Sequence, residues 1–281
     1  MINFKKLEKN DFNDINKYLL LDKTRSCEKI ASALMMWRDF YKIEWAIYEN
    51  TLIVKYGIDD GVAAYMMPVG ENVEAVAKAL GDATYVGVCK EDIEKIALPN
   101  AEITPNRDNF DYIYLAEALA TFKGKALHAK KNFLNRFKKT YNYEFTTTPN
   151  KKELIEFFKE MDIKYPHSDE TGSAELDETI DLIENSELFK LLMGAIKIDG
   201  KIIAATIGTR VDDTLYVQIE KADREYIGAY PAIVSEFVSS VDSITYVNRE
   251  DDLGNEGLRQ SKLSYKPLYL LEKYVVKNKG L

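Results

Sequence analysis

Leu191 to Ala222 reads LLMGAIKIDGKIIAATIGTRVDDTLYVQIEKA. Two apolar runs, Leu191 to Ile198 and Lys201 to Thr209, flank Asp199-Gly200. Asp-Gly between such runs is the strongest short signal for a two-residue hairpin, because both turn residues must take positive φ. A third run, Asp213 to Ala222, extends the hairpin to three antiparallel strands. Downstream, Pro231 sits where a helix can begin, since its missing N–H is not needed in a first turn. That helix runs through Val241 and feeds a short alternating strand, Ser243 to Val247. Glu256 to Ser264 is helical, and Leu268 to Val276 reads as one closing strand. Upstream, Lys151 to Asp162 is amphipathic, with Leu154, Ile155, Phe158 and Met161 on one face.

The same order occurs earlier in the chain. Ser26 to Phe40 places Ile30, Leu34 and Trp37 at helical spacing after a serine suited to capping. Glu44 to Tyr56 forms two strands around Glu49-Asn50, and Gly61 to Val69 a third. Glu71 to Leu80 is a helix that closes at Gly81, and Thr84 to Cys89 is a buried strand. The expectation is an α+β protein of two tandem domains, each a mixed, mainly antiparallel sheet flanked by helices. Residues 1–120 and 142–281 form the halves and 121–141 a basic connecting helix; one irregular α+β domain is the alternative.

A length of 281 residues suffices for two cores. A net charge of −8 excludes a chain dominated by nucleic-acid or anionic-membrane binding, though not a local basic patch. Cys27 and Cys89 have no paired spacing, and His128 and His167 are too far apart for a cluster, so no metal site is expected. The sequence shows neither a signal-peptide core nor a membrane-spanning run, and a cytoplasmic, soluble protein is expected.

Thr121 to Tyr141, TFKGKALHAKKNFLNRFKKTY, contains seven Lys and Arg residues and no acid. Helical spacing puts Leu127, Phe133, Leu134 and Phe137 near one side, with Phe133 and Phe137 as i,i+4 anchors. Lys130, Lys131, Arg136, Lys138 and Lys139 then present an anion-binding face suited to phosphates, or a solvated face balancing Glu153, Glu156 and Glu160. His128 is expected to cap or pack.

Three stretches together carry a resemblance: Asn109 to Phe137, Ile219 to Phe237 (IEKADREYIGAYPAIVSEF) and Tyr246 to Tyr274 (YVNREDDLGNEGLRQSKLSYKPLYLLEKY). The pattern resembles a bacterial family named after the C-terminal domain of phosphatidylglycerol lysyltransferase. The resemblance implies a tandem GNAT-like fold shared with the Fem-type aminoacyltransferases, and an acyltransferase or aminoacyltransferase activity. The namesake moves lysine from lysyl-tRNA to a membrane lipid. A GNAT acetyltransferase holds the coenzyme A pyrophosphate on Gln/Arg-x-x-Gly-x-Gly/Ala at a helix N-terminus. The corresponding ADREYIGAYPA departs from that pattern: taking Gly228 as the first glycine puts Glu225 at the Gln/Arg position and Tyr230 at a small-residue position. Arg224, Gly228 and Ala229 remain as donor contacts. Acyl-CoA is thereby disfavoured as donor against aminoacyl-tRNA, which brings its own activated ester.

The catalytic candidates are Glu220, Asn248, Arg249, Glu250, Asp251, Lys262 and Tyr265. Arg249 or Lys262 would hold a phosphate or carboxylate, Glu220, Glu250 or Asp251 would accept a proton, and Tyr265 would donate a hydrogen bond. The plainer reading of the same residues is a set of salt bridges and caps, with Asp251 or Asp252 near the next helix start. Three functions stand open: transfer of an aminoacyl group to an amine or hydroxyl of a small molecule, peptide or lipid headgroup; CoA-dependent N-acetylation; and non-catalytic ligand binding.

Overall fold

The computed structural model describes residues 2–57, 63–95, 101–166 and 170–278. His167 and the start of the run expected at Gly61 lie outside them. The chain divides into two compact units, one of Met1–Asp111, Asp251–Asn255 and Leu270–Leu281, the other of Tyr112–Glu250 and Glu256–Tyr269.

The first unit opens with β1 (Lys5–Lys6), α1 (Phe12–Leu19) and α2 (Ala31–Trp37). Ser26 does not cap a helix here: its Oγ donates to Glu28 Oε2, and α2 starts after Ile30. Lys29, 3% exposed, links Asp22 and Asp92 at 2.7 Å each. β2 (Glu44–Tyr48) and β3 (Thr51–Tyr56) are joined as expected at Glu49-Asn50, whose φ values are 49° and 55°. β4 (Ala64–Met66), β5 (Val69–Gly70), α3 (Val73–Leu80), β6 (Ala83–Cys89), α4 (Lys90–Lys95) and β7 (Glu102–Pro105) follow. Gly81 ends α3 with φ 65°, a conformation that suits glycine.

The second unit contains β8 (Asp111–Leu115), α5 (Ala116–Thr121), α6 (His128–Thr140), β9 (Glu144–Thr146), α7 (Lys151–Lys164), α8 (Glu170–Glu184), β10 (Leu192–Ile198), β11 (Lys201–Val211), β12 (Thr214–Ala222), α9 (Ala229–Ser239), β13 (Tyr246–Asn248), α10 (Glu256–Ser264) and β14 (Tyr269–Leu271). β15 (Lys273–Asn278) closes the chain. Asp199 and Gly200 take φ 49° and 79° between β10 and β11, as a two-residue hairpin requires. β11 is buried without a break from Ile202 to Thr209, so both of its faces are covered.

The doubled order holds: β4 and β6 pair in parallel across α3, and β12 and β13 pair in parallel across α9. The units are not contiguous in sequence. The first sheet runs β1-β2-β3-β4-β6-β15-β7, with β5 on β3; the second runs β14-β8-β13-β12-β11-β10-β9. The closing strand expected over Leu268 to Val276 is therefore two strands in different sheets. The last strand supplies the second neighbour of β6, while β8 supplies that of β13. The expected partition at residues 120 and 141 differs from this because β8 and β15 each satisfy a sheet edge distant in sequence.

Along α6, Leu127, Leu134 and Phe137 are buried but Phe133 is 45% exposed, so only Phe137 of the expected pair anchors the helix. α9 is buried on nearly every side, from Ala229 to Val238, because α5, α6 and the sheet all pack on it.

Candidate active site

β12 pairs with β13 only through Thr214–Tyr216 opposite Tyr246–Asn248. Its register with β11 slips between Ile207 and Gly208, leaving Gln218 as the extra residue of a bulge. A bulge bends its strand, and beyond Tyr216 the second edge of β12, from Val217 to Ala222, has no strand beside it among the described residues. Glu220 lies on that stretch, and side chains from four other elements or their ends gather around it.

Arg249, just past β13, places Nη2 at 2.8 Å from Glu220 Oε1, with side-chain exposures of 11% and 9%. The Arg249 guanidinium lies 4.6 Å from the Tyr265 ring centre and 5.9 Å from that of Tyr114 on β8. Its Nη1 is buried and has no hydrogen-bond partner. Lys130 of α6 reaches the same Tyr265 ring, with Nζ 3.8 Å from its centre. Burial pushes the Glu220 carboxyl up, while the charges of Arg249, Lys262 and Lys130 pull it back. Burial and then the Arg249 charge push Lys130 down to about 8, against Glu220. The Tyr265 and Tyr114 hydroxyls are held above the usual tyrosine range by burial.

The remaining candidates hold this group in place. Lys262 Nζ donates to Arg249 O at 2.6 Å, and Tyr114 Oη donates to Lys262 O at 2.8 Å. Asn248, fully buried, accepts from Glu250 N at 2.6 Å and so fixes the turn at which Glu250 takes φ 55°. The structure thus brings Glu220, Asn248, Arg249, Glu250, Lys262, Tyr265 and Lys130 together.

Asp251 belongs to the first unit. There Lys273, fully buried, contacts Asp111 Oδ1 at 2.6 Å, Glu28 Oε2 at 2.5 Å and Cys27 Sγ at 3.3 Å. Ligand atoms of Cys27, Asp111 and Asp251 lie within 4.8 Å of one another, a grouping that sequence spacing did not show. The Lys273 ammonium already meets the negative charge there. Asp252 follows the plainer expectation of an ion-paired carboxylate: it is buried and accepts from Arg107 Nη1 at 3.1 Å.

One side of the turn before α9 is packed against α6, while Arg224, Glu225 and Ile227 are exposed. Gly228 takes φ 95°, and a Cβ there would stand 2.5 Å from Phe133 O and 3.0 Å from Phe137 Cβ, so α6 lies directly against it. Ala229 is buried and the Tyr226 ring lies 5.4 Å from that of Tyr141. Arg224 stacks on Tyr165 at 4.6 Å, and Glu225 pairs with Lys164 at 2.8 Å. Gly228→Ala should therefore lower stability by more than about 1 kcal/mol, read as a lower urea midpoint; an unchanged midpoint would show that α6 does not press on the turn.

The other α6 cations diverge from Lys130. Lys131 Nζ donates to Thr121 O at 3.2 Å, Lys138 pairs with Glu236 at 3.0 Å, and Arg136 and Lys139 are exposed. Phe122, Lys123, Gly124, Lys125, His128 and Lys131 line an open cavity of about 500 Å³. His128 is exposed, with Nδ1 3.3 Å from Asn132 Nδ2; it does not pack in the core, but it caps the short 3-10 helix Lys125–Leu127, its backbone N–H donating to Lys125 O.

Sequence reasoning missed Tyr114, Asp111, Cys27 and Lys273. Tyr114 sits in the apolar run of β8, whose only local signal is that of an ordinary strand.

The model of the family described as phosphatidylglycerol lysyltransferase, C-terminal, matches residues 21–277. The chain belongs to this family. A conserved protein of unknown function from Bacteroides thetaiotaomicron is 35% identical, with a TM-score of 0.91 over 99% of this chain and 100% of that one. L-PGS from Bacillus licheniformis is 14% identical, with a TM-score of 0.67 over 95% and 91%. FemX is 7% identical, with a TM-score of 0.62 over 99% and 97%. These last two likenesses show the fold alone. An uncharacterised protein of Mycoplasmoides gallisepticum is 27% identical over 176 residues, and the match spans 59% of this chain and 56% of that relative. Among the described residues of this phosphatidylglycerol lysyltransferase C-terminal family member, no helix is long and apolar enough to cross a membrane.

Proposed function

We propose that the protein transfers an aminoacyl group from aminoacyl-tRNA to an amine or hydroxyl at the Glu220–Arg249–Tyr265 cluster. One observation favours this over CoA-dependent acetylation: at the turn before α9, where a GNAT acetyltransferase would hold pyrophosphate, α6 packs against Gly228, and Glu225 and Tyr230 stand at the Gln/Arg and small-residue positions. An ester donor needs no such cradle. It needs orientation and charge stabilisation near the carbonyl, which Arg249 and Tyr265 would supply. Lys131, Arg136, Lys138 and Lys139 on α6, with Lys123 and Lys125 at the neighbouring cavity, would contact RNA phosphates. Arg224, Gly228 and Ala229, in the turn that α6 packs against, contribute to the fold of the donor side rather than to phosphate binding. The acceptor is a small molecule, peptide or lipid headgroup, the last suggested by the family's name.

The filled space beside β12 also suits a protein that kept the fold without the chemistry. Tyr265 and Arg249 must then be immobile, whereas transfer requires them to admit an ester.

Retention of bulk aminoacyl-tRNA on the protein across a salt series tests the donor. Affinity should fall steeply with salt. Replacing Lys131, Arg136, Lys138 and Lys139 by glutamine should flatten the slope by about one for each phosphate no longer neutralised. A slope unchanged in that variant would remove α6 from the donor site.

A further inference from the structure

We propose that Lys130 is the catalytic group that takes the proton from the attacking nitrogen or oxygen, from its position on the face of Tyr265 beside the Glu220–Arg249 pair. This rests on the acyl-transfer reading above but not on the identity of the donor.

The lysines of α6 point in different directions and meet different partners. Lys131 donates to a carbonyl and Lys138 pairs with a carboxylate. Among the described residues, Lys130 Nζ has no hydrogen bond or ion pair, only the Tyr265 ring at 3.8 Å. The charged groups that act on it are Arg249 from the segment after β13 and Glu220 from β12. The carboxylate is engaged by Arg249 at 2.8 Å. An ammonium at this place therefore meets a neighbouring guanidinium, partial burial and a carboxylate already neutralised. The Tyr265 face favours the ammonium, but burial and Arg249 outweigh it enough to bring the neutral amine, with its free lone pair, within reach near neutral pH.

Glu220 was the base expected on β12. Its carboxylate is taken up by the hydrogen bond with Arg249 Nη2, whereas Lys130 is half-buried with its lone pair uncommitted. Burial and Arg249 bring Lys130 down to about 8, so both of its protonation states are populated near neutral pH, as a proton shuttle requires.

The transfer then balances. The acceptor nitrogen or oxygen forms a bond to the ester carbonyl carbon, and the carbonyl π pair moves onto its oxygen. The acceptor's proton passes to neutral Lys130 Nζ. The tetrahedral adduct collapses, the bond from the acyl carbon to the donor oxygen breaks, and that oxygen takes the proton from the Lys130 ammonium. Lys130 ends as it began.

Competitive labelling of the full chain with trace acetic anhydride, over a pH series and read lysine by lysine by mass spectrometry, tests this. Lys130 should label with a midpoint near 8, well below the ordinary lysine value of 10.5, and Tyr265→Leu should move that midpoint. A wild-type midpoint in the ordinary lysine range would overturn the proposal whatever the donor is. In a second arm, protein-dependent loss of label from bulk [14C]aminoacyl-tRNA with ethanolamine as acceptor should rise through the same midpoint. Lys130→Arg should reduce it by about 10²-fold or more while tRNA retention is kept; a Lys130→Arg variant with the wild-type pH profile would overturn the proposal. No loss of label from wild type would count against tRNA as donor, and the anhydride titration would then decide Lys130 by itself.

Discussion

Replacing Lys273 by methionine should destabilise the first unit by about 3–5 kcal/mol, the usual cost of removing one partner from a buried ion pair. Lys273 and Asp111 are both fully buried and 2.6 Å apart, so the variant leaves Asp111 charged without its cation. Glu28, at 2.5 Å from the same ammonium, loses its partner too. Trp37 and Trp45, the two tryptophans of the chain, both lie in this unit, so intrinsic fluorescence during urea unfolding reports on it. The double variant Lys273→Met/Asp111→Asn should recover much of the loss, because the cost is the unpaired charge rather than the absent hydrogen bond. Burial lowers Lys273 but Asp111, Cys27 and Glu28 outweigh it and hold it well above the ordinary lysine value of 10.5. A raised lysine contributes stability that is complete below the unfolded value and fades as pH rises through the folded one. The single variant should therefore lose most at neutral pH, with its deficit shrinking only under strongly alkaline conditions. A deficit below about 1 kcal/mol at neutral pH, no larger than that of an exposed pair, would show that Asp111 is not buried as described.

Arg249→Met should destabilise the second unit by a similar amount, about 3–5 kcal/mol, by stranding Glu220. Hydrogen exchange of β12 and of the segment after β13 is the measurement, since both tryptophans are elsewhere. Glu220 is raised by burial, and a raised carboxyl contributes stability present below its unfolded value and lost as pH rises through the folded one. The deficit of Arg249→Met should accordingly be smaller at pH 5 than at pH 8, because at low pH Glu220 protonates and needs no partner. Glu220→Gln added to Arg249→Met should restore much of the protection at pH 8. A deficit that ignores pH, or grows toward acid, would contradict the pairing.

Local chemistry made much of the fold legible. Asp199-Gly200 and Glu49-Asn50 gave their hairpins, and Gly81 gave the end of α3, because each turn depends on positive φ at particular residues. Glu256–Ser264 was read as a helix to its ends. Strand partnership was not legible, because it is settled between segments far apart in sequence. No periodicity says that Lys273–Asn278 completes the first sheet while Tyr269–Leu271, two residues earlier, joins the second. α8, Glu170–Glu184, was not read from the sequence.

Candidate residues were legible as a set but not in their pairings. Glu220 and Arg249 are 29 positions apart, and Asp111 and Lys273 are 162 apart. The acids and bases after β13 drew attention by density alone, and the structure divides them: Arg249 and Glu250 in one unit, Asp251 and Asp252 in the other. Helical spacing turns Lys130 and Lys131 about 100° from each other, but only packing decides which of them meets an aromatic ring.

In the proposed reaction the acyl group arrives on RNA and not on coenzyme A. This is tested most directly by holding bulk radiolabelled aminoacyl-tRNA on the immobilised protein at low salt and adding excess acetyl-CoA. The label should stay bound, since Glu225 and Tyr230 stand where a pyrophosphate loop needs Gln/Arg and a small residue, and should leave when uncharged competitor tRNA is added. Displacement by acetyl-CoA, or saturable acetyl-CoA binding in the absence of any tRNA retention, would contradict the claim.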